Sequence, residues 1–293
     1  MSATKIEWTA VDGHEGYTFN PWSGCSKISA GCAHCYAANL PPGMRRGAKW
    51  GPNADRIPAA ESGWAEPRAW NRKAQKLGVR LRVFCASTAD VFEDRADLDP
   101  WRERLWQLIN DTPHLDWLLL TKRPHVMAAW AKTHPWPVNA WAGTSVEDQS
   151  AADIRIPDLL TVPARVRFLS CEPLLGEVNI TPYLSRLQWV IVGGESGHKA
   201  RPMRPKWAYN LATQCQEAKV PFFFKQWGEW APAELDADGN PAPVPANVGK
   251  GWWSHADHWY EGEHHTMRQS MTRVGKSAAG RLLEGIEHNG QPV

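Results

Sequence analysis

The sequence predicts an α/β protein, a partial (β/α) barrel of about six to seven parallel strands. Three observations predict it: short continuous apolar runs, segments of helical period between them, and polar or ionisable residues recurring where the runs end. Apolar runs that are continuous rather than alternating suit parallel strands covered on both faces. Strand, helix and strand in repeated order wind a parallel sheet.

In chain order, a first strand is expected just before Cys25. The runs that follow are "LRVFCAS" (81–87), "DWLLLTK" (116–122), "NAWAGTS" (139–145), "RVRFLSC" (165–171), "QWVIVGG" (188–194) and "VPFFFKQ" (220–226). Between them, "DPWRERLWQLIND" and "PKWAYNLATQCQEAK" carry apolar residues at spacings of three and four, the mark of amphipathic helices. Seven candidate strands are one short of a closed eight-fold barrel. An incomplete, TIM-barrel-like arrangement fits best, and a doubly wound open sheet is the alternative with the same pattern.

The strand ends carry more information than the strands. They read Ser87-Thr88-Ala89-Asp90, Thr121-Lys122-Arg123, Thr144-Ser145-Val146-Glu147-Asp148, Ser170-Cys171-Glu172-Pro173, Gly193-Gly194-Glu195-Ser196 and Lys225-Gln226. In barrels the site is built from loops at that end. Thr, Ser and Asp before a helix are also ordinary N-caps. Lys122, Arg123, Glu172, Glu195 and Lys225 are not cap residues, and together they argue for a ligand site.

At 293 residues and 43% apolar content the chain can bury a sizeable core. Thirty-three basic against 31 acidic residues, net +2, give no global signature of a nucleic-acid binder. The eighteen tryptophans, including Trp117, Trp141 and Trp189 at the edges of apolar runs, are explained by packing. With no signal-peptide pattern and no apolar run near the roughly 20 residues that span a bilayer, a cytoplasmic protein with no membrane contact is expected. Three parts are anticipated: a barrel over 1–230, a Pro/Ala/Gly-rich surface loop over 231–250, and a basic C-terminal extension over 251–293 packed on the barrel. Arg268, Arg273, Lys276 and Arg281 of that extension are available to phosphates, although a solvated helix face explains them as well. "VGKSAAG" is no phosphate loop, since Ser270 stands where its first glycine belongs.

Three of the six cysteines fall within eleven residues, "CSKISAGCAHC", as Cys25, Cys32 and Cys35. In a reducing compartment such a cluster points to metal or redox chemistry rather than disulfides. Structural zinc wants four closed ligands, so His34, His14, Cys85 or Cys171 would have to complete it. His34 would need to fold back on its own turn, and a second C-x2-C is absent. Three thiolates suit an iron–sulfur cubane that keeps one iron open, and the loop after a first barrel strand is a sensible place to hold it.

The segments "FNPWSGCSKISAGCAHCYA", "CASTADVFED", "LLLTKRP", "GTSVEDQ", "RFLSCEPLLG", "WVIVGGESGHKARPM", "PFFFKQWGEW" and "GKSAAGRLLEG" resemble the radical S-adenosylmethionine superfamily, and within it a family of phage three-cysteine-motif proteins. The first gap departs from the superfamily's usual C-x3-C-x2-C, being six residues here. The resemblance implies that Cys25, Cys32 and Cys35 hold a [4Fe-4S] cluster whose fourth iron binds S-adenosylmethionine. Reductive cleavage would then release a 5′-deoxyadenosyl radical that takes hydrogen from substrate.

Further roles follow from that resemblance. Tyr36 is expected near the adenine. Asp90, or the backbone from Ala86 to Thr88, is expected to replace the superfamily's glycine–glycine–glutamate element. Lys122, Arg123 or Lys225 would meet the methionine carboxylate or substrate anions, and Glu172 and Glu195 ribose or substrate amines. Ser87, Thr121, Ser145 and Glu147 complete the expected cofactor contacts, and Cys171 and Lys225 are the candidates for a catalytic role. The implied partners are a reductant such as flavodoxin or ferredoxin and a nucleic-acid substrate, its base modified or repaired as by photoproduct lyases; a free nucleotide, peptide or metabolite fits as well. The rival from another class is a zinc-stabilised nucleic-acid-binding protein.

Overall fold

A computed structural model describes residues 3–232 and 271–292. Strand β1 (Tyr17–Thr18) enters the main sheet. Strand β2 (Trp22–Ser23) leaves it to pair antiparallel with β3 (Ile57–Pro58). The residues immediately before Cys25 therefore lie outside the main sheet, and the first barrel strand sits slightly earlier than the sequence suggested. The sheet continues through β4 (Leu81–Cys85), β5 (Leu115–Thr121), β6 (Ala140–Ser145), β7 (Arg167–Cys171), β8 (Trp189–Gly193) and β9 (Phe222–Gln226). Among the described residues it has seven strands in the order β1, β4, β5, β6, β7, β8, β9, all parallel. A doubly wound sheet would reverse its order at a switch point. This one never reverses, and β1 and β9 do not pair, so the architecture is a partial TIM-like barrel.

The helices pack against the outer face of the sheet. After the one-turn α1 (Tyr36–Asn39) comes α2 (Glu61–Leu77), whose buried stripe is Trp64, Pro67, Trp70 and Ala74 and which ends at Gly78 in the left-handed region. Helices α3 (Asp99–Asn110), α4 (Pro124–Thr133) and α6 (Pro205–Glu217) each place proline in the first turn, where its missing N–H costs no helical bond. Helix α5 (Gln149–Leu159) is capped by the Asp148 side chain, which accepts from the Ala151 N–H.

The alternation of each strand separates two cores. Leu81, Val83, Cys85, Leu115, Trp117, Leu119, Leu169, Cys171, Val190, Val192 and Phe224 face the helices. The intervening Phe84, Leu118, Trp141, Phe168, Trp189, Ile191 and Phe223 face inward with Trp8 and form a closely packed aromatic floor. Gly143 makes room for that floor, since a Cβ there would lie 2.2 Å from the Phe168 ring. Arg82 is held between Trp141 and Trp189 and donates to the Trp8 carbonyl and to Gln291. Burial lowers its pKa to about 10.

The described C-terminal residues close the open edge. Strand β10 (Trp230–Pro232) pairs with β11 (Met271–Arg273), and the backbone at His288 and Gly290 bonds to Phe224 and Phe222 of β9. Of the expected surface loop, residues 233–250 lie outside the described residues, as do residues 251–270 of the extension with Arg268. Arg273 donates to the carbonyls of Gly197 and His198, and Arg281 pairs with Asn289 and Glu287. Among the described residues no helix is long and apolar enough to cross a membrane.

Candidate active site

Above the aromatic floor the barrel opens into a cavity of about 610 Å³, within the usual range for small-molecule sites. Phe84, Leu120 and Trp8 form its lower wall. Its upper wall is the loop carrying Cys25, Cys32 and Cys35 together with the C-terminal ends of the strands. Inward parity continues past the strands, so Lys122 follows Leu118 and Leu120, Glu172 follows Phe168 and Ser170, and Lys225 follows Phe223. Of the residues singled out from the sequence, Tyr36, Ser87, Asp90, Thr121, Lys122, Arg123, Ser145, Glu172, Glu195 and Lys225 line this cavity with the three cysteines.

Most of these polar groups are already engaged, and what many of them hold is the cysteine loop. Asp90 accepts from the Thr121 hydroxyl at 2.6 Å, the Phe92 and Lys122 N–H groups, and Arg123 Nη1 at 2.8 Å. Arg123 Nη2 in turn donates to the carbonyl and hydroxyl of Ser26, both at 2.9 Å. The Ser26 hydroxyl also reaches Glu93, which takes a two-pronged ion pair from buried Arg56. Glu147 accepts from Ser29 at 2.8 Å and from Arg155 at 2.7 Å, with Lys122 Nζ at 3.5 Å. Gly31 passes so close to Glu147 that a Cβ would lie 2.4 Å from its carboxylate. Arg201 forks onto Glu195 and donates to the Ala30 carbonyl, while Glu195 also faces His34 Nδ1 at 3.4 Å. The Tyr36 hydroxyl donates to the Ser87 carbonyl at 3.0 Å, although the residue as a whole is 54% exposed. Four strand ends thus grip one loop.

These commitments revise several expected roles. Asp90, with both oxygens occupied, is a tie between β4 and β5 and has little capacity left for a ligand amine; Thr121 belongs to the same tie. Arg123 is directed at the loop rather than at a ligand carboxylate. Glu147 is buried behind the loop and does not line the cavity. Cys171 faces the helices in the outer core, as does Cys85, because each stands one residue out of step with the inward column. Burial raises the pKa of both thiols well above the usual range, which does not suit the catalytic role expected of Cys171. Lys225 does line the cavity and donates to Glu172 at 2.6 Å. Sequence reasoning missed Ser26, Ser29, Arg56, Glu93 and Arg201. The signal for Arg201 was its place in "GGESGHKARPM", six residues after Glu195.

All six cysteines are free. Cys25 is partly buried, and burial, with Asp90 and Glu93 adding to it, pushes its thiol up to about 12 against the opposing pull of Arg123. Burial alone raises Glu93 and Glu195, yet their arginine partners and hydroxyl or imidazole contacts hold both carboxyls below the usual range. Among the described residues no three His, Cys, Asp or Glu side chains already converge as a metal site. Among the described residues a closed zinc site lacks its fourth ligand, since Cys85 and Cys171 lie in the outer core, His14 does not line the cavity and His34 faces Glu195. Three thiols walling one cavity, with none opposite, do fit a cubane by donor chemistry and number.

The model of one protein family, described as "Protein of unknown function (DUF5131)", matches residues 3–292. No curated protein matches the chain. Among solved structures the chain is similar to variants of spore photoproduct lyase. One is 12% identical with a TM-score of 0.44, covering 95% of this chain and 74% of that one. Another, with bound AdoMet and dinucleoside spore photoproduct, is 11% identical with a TM-score of 0.43, covering 89% and 69%. At such TM-scores the likeness carries no chemistry.

Proposed function

Because the chain belongs to the DUF5131 family, whose description assigns no activity, we propose its function from the site: a radical S-adenosylmethionine enzyme acting in the barrel cavity. The observation that carries this reading is that Cys25, Cys32 and Cys35 wall one cavity at the C-terminal rim of a parallel barrel, with no fourth thiol facing them. Cys25, Cys32 and Cys35 would hold a [4Fe-4S] cluster. When bound, the cluster and S-adenosylmethionine supply a 5′-deoxyadenosyl radical for hydrogen abstraction.

The chain's own part is to bind, orient and shield. Tyr36, fixed through its hydroxyl to Ser87, offers a ring face to the adenine. Of the strand-end cations Lys122, Arg123 and Lys225, Lys122 has the longest ion pair, 3.5 Å to Glu147, and would meet the methionine carboxylate. The Ala86–Thr88 backbone lines the same wall and is available to the methionine amine. Glu172 and Lys225 present an acceptor and a donor side by side to the substrate. The aromatic floor blocks the barrel from below, so water and ligands enter at the rim. A nucleic-acid base as substrate, a flavodoxin or ferredoxin as reductant and a cytoplasmic setting belong to the same proposal.

The test is anaerobic purification and reconstitution, with iron, sulfide and zinc measured together. Near-stoichiometric iron and sulfide, visible absorption, and 5′-deoxyadenosine formed on adding reductant and S-adenosylmethionine are expected. Cys32→Ala should lose the iron and the deoxyadenosine, with the fold retained by circular dichroism. Zinc without iron would sink the proposal in favour of a structural metal.

A further inference from the structure

Arg123 follows β5 and is buried, with both terminal nitrogens turned toward the start of the cysteine loop. Nη2 holds the Ser26 carbonyl and hydroxyl, and Nη1 lies 2.8 Å from Asp90 and 4.0 Å from Cys25 Sγ. Two carboxylates stand near that sulfur, Asp90 and Glu93. Arg56 neutralises Glu93 through a bidentate pair. Among the described residues Asp90 makes its ion pair with Arg123, so this guanidinium is the cation that offsets Asp90 beside Cys25.

We propose that Arg123 is a positioning residue that sets the reduction potential of the group held by Cys25, by directing a charged N–H at that cysteine's sulfur; the inference rests on the iron–sulfur reading above. Hydrogen bonds to ligating sulfurs and the local net charge are the protein's levers on cluster potential. A cation beside the sulfur favours the added electron. A carboxylate left uncompensated in a partly buried site opposes it. Arg123 and Asp90 therefore act with opposite sign on the same atom, even though they are bonded to each other.

That opposition supplies a test that a merely structural role would not pass. The full-length chain and its Arg123→Gln, Arg123→Lys and Asp90→Asn variants are reconstituted anaerobically, and the cluster signal is followed by electron paramagnetic resonance through a redox titration. At the wild-type midpoint the reduced-to-oxidised ratio should fall about tenfold in Arg123→Gln, which is about 59 mV for a one-electron couple. It should return most of the way in Arg123→Lys and rise above wild type in Asp90→Asn. Loosening of the loop would move Arg123→Gln and Asp90→Asn in the same direction, and that result overturns the proposal, as does an unshifted Arg123→Gln. If Arg123→Gln fails to take up iron, the sign of the shift in Asp90→Asn decides alone, a fall or no change overturning it. A wild-type chain that holds zinc and no iron overturns both this inference and the reading beneath it, whereas iron with unshifted variants overturns this inference and leaves that reading standing.

Discussion

The floor of the barrel and its rim are built from the same strands by opposite physics. In the floor, Phe84, Trp141, Phe168, Trp189 and Phe223 bury large rings against one another, with Arg82 stacked between two of them. At the rim, further along the same columns, the groups are charged and are paired with one another: Asp90 with Arg123, Glu147 with Arg155, Glu195 with Arg201 and Glu172 with Lys225. The floor draws stability from area removed from water, which is indifferent to pH. The rim gains less net stability from each pair, because desolvation offsets attraction, but it gains placement of the loop. The comparison predicts that floor substitutions change global stability at every pH, whereas rim substitutions change loop geometry and acid sensitivity.

The largest effect should come from Trp189→Ala. This removes a fully buried ring, its N–H bond to the Gly290 carbonyl and one face of the Arg82 sandwich. Truncation of a buried aromatic costs about 3–5 kcal/mol. A denaturant midpoint lowered by the same amount at pH 7 and pH 4 is expected. A loss under about 1 kcal/mol would mean that the floor is not the stable part of the barrel.

Gly143→Ala should have the intermediate effect and tests the same floor by addition. Its Cβ would meet the Phe168 ring, which cannot retreat without disturbing Trp189, so overpacking by about 1–3 kcal/mol is expected from thermal or denaturant melts. An unchanged melt would show that the ring has room to move.

The two regions were also unequally legible in the sequence. The strands could be read because continuous apolar runs leave few alternatives, and the site end followed from the barrel rule. Parity within the runs was hidden, since both faces are apolar: Ser170 and Cys171 look alike in a list, yet Ser170 lines the cavity and Cys171 faces α6. Helix α2 carries a readable signal in Trp64, Trp70 and Ala74, but a long segment separates it from the cysteine cluster. The carboxylates at the rim were visible, whereas Arg56, which meets Glu93 across 37 residues, and Ser29, which meets Glu147, gain meaning only when distant loops meet. Burial then decides their use, because a desolvated carboxylate needs a partner before it can serve a ligand.

The smallest effect on global stability, and the sharpest contrast with the floor, is expected from Arg201→Gln. Arg201 is partly exposed, and glutamine can still donate to Glu195, so the loss at neutral pH should be about 1 kcal/mol or less. Its pH dependence is the informative part. In the wild type the folded pKa of Glu195 lies below the ordinary value, so its contribution is fully present above the unfolded pKa of about 4.3 and is lost as pH falls through the lowered folded value. Without Arg201 that folded pKa rises, and the contribution disappears. The gap between wild type and variant should therefore be constant from pH 7 to about 5, shrink below about 4.3 and close once the carboxyl is protonated in both. Denaturant midpoints measured across that range would show it, alongside a Trp189→Ala gap that stays open. A gap for Arg201→Gln that persists unchanged in acid would mean that Arg201 acts through packing on the Ala30 carbonyl, and that the rim holds its loop by shape, as the floor does.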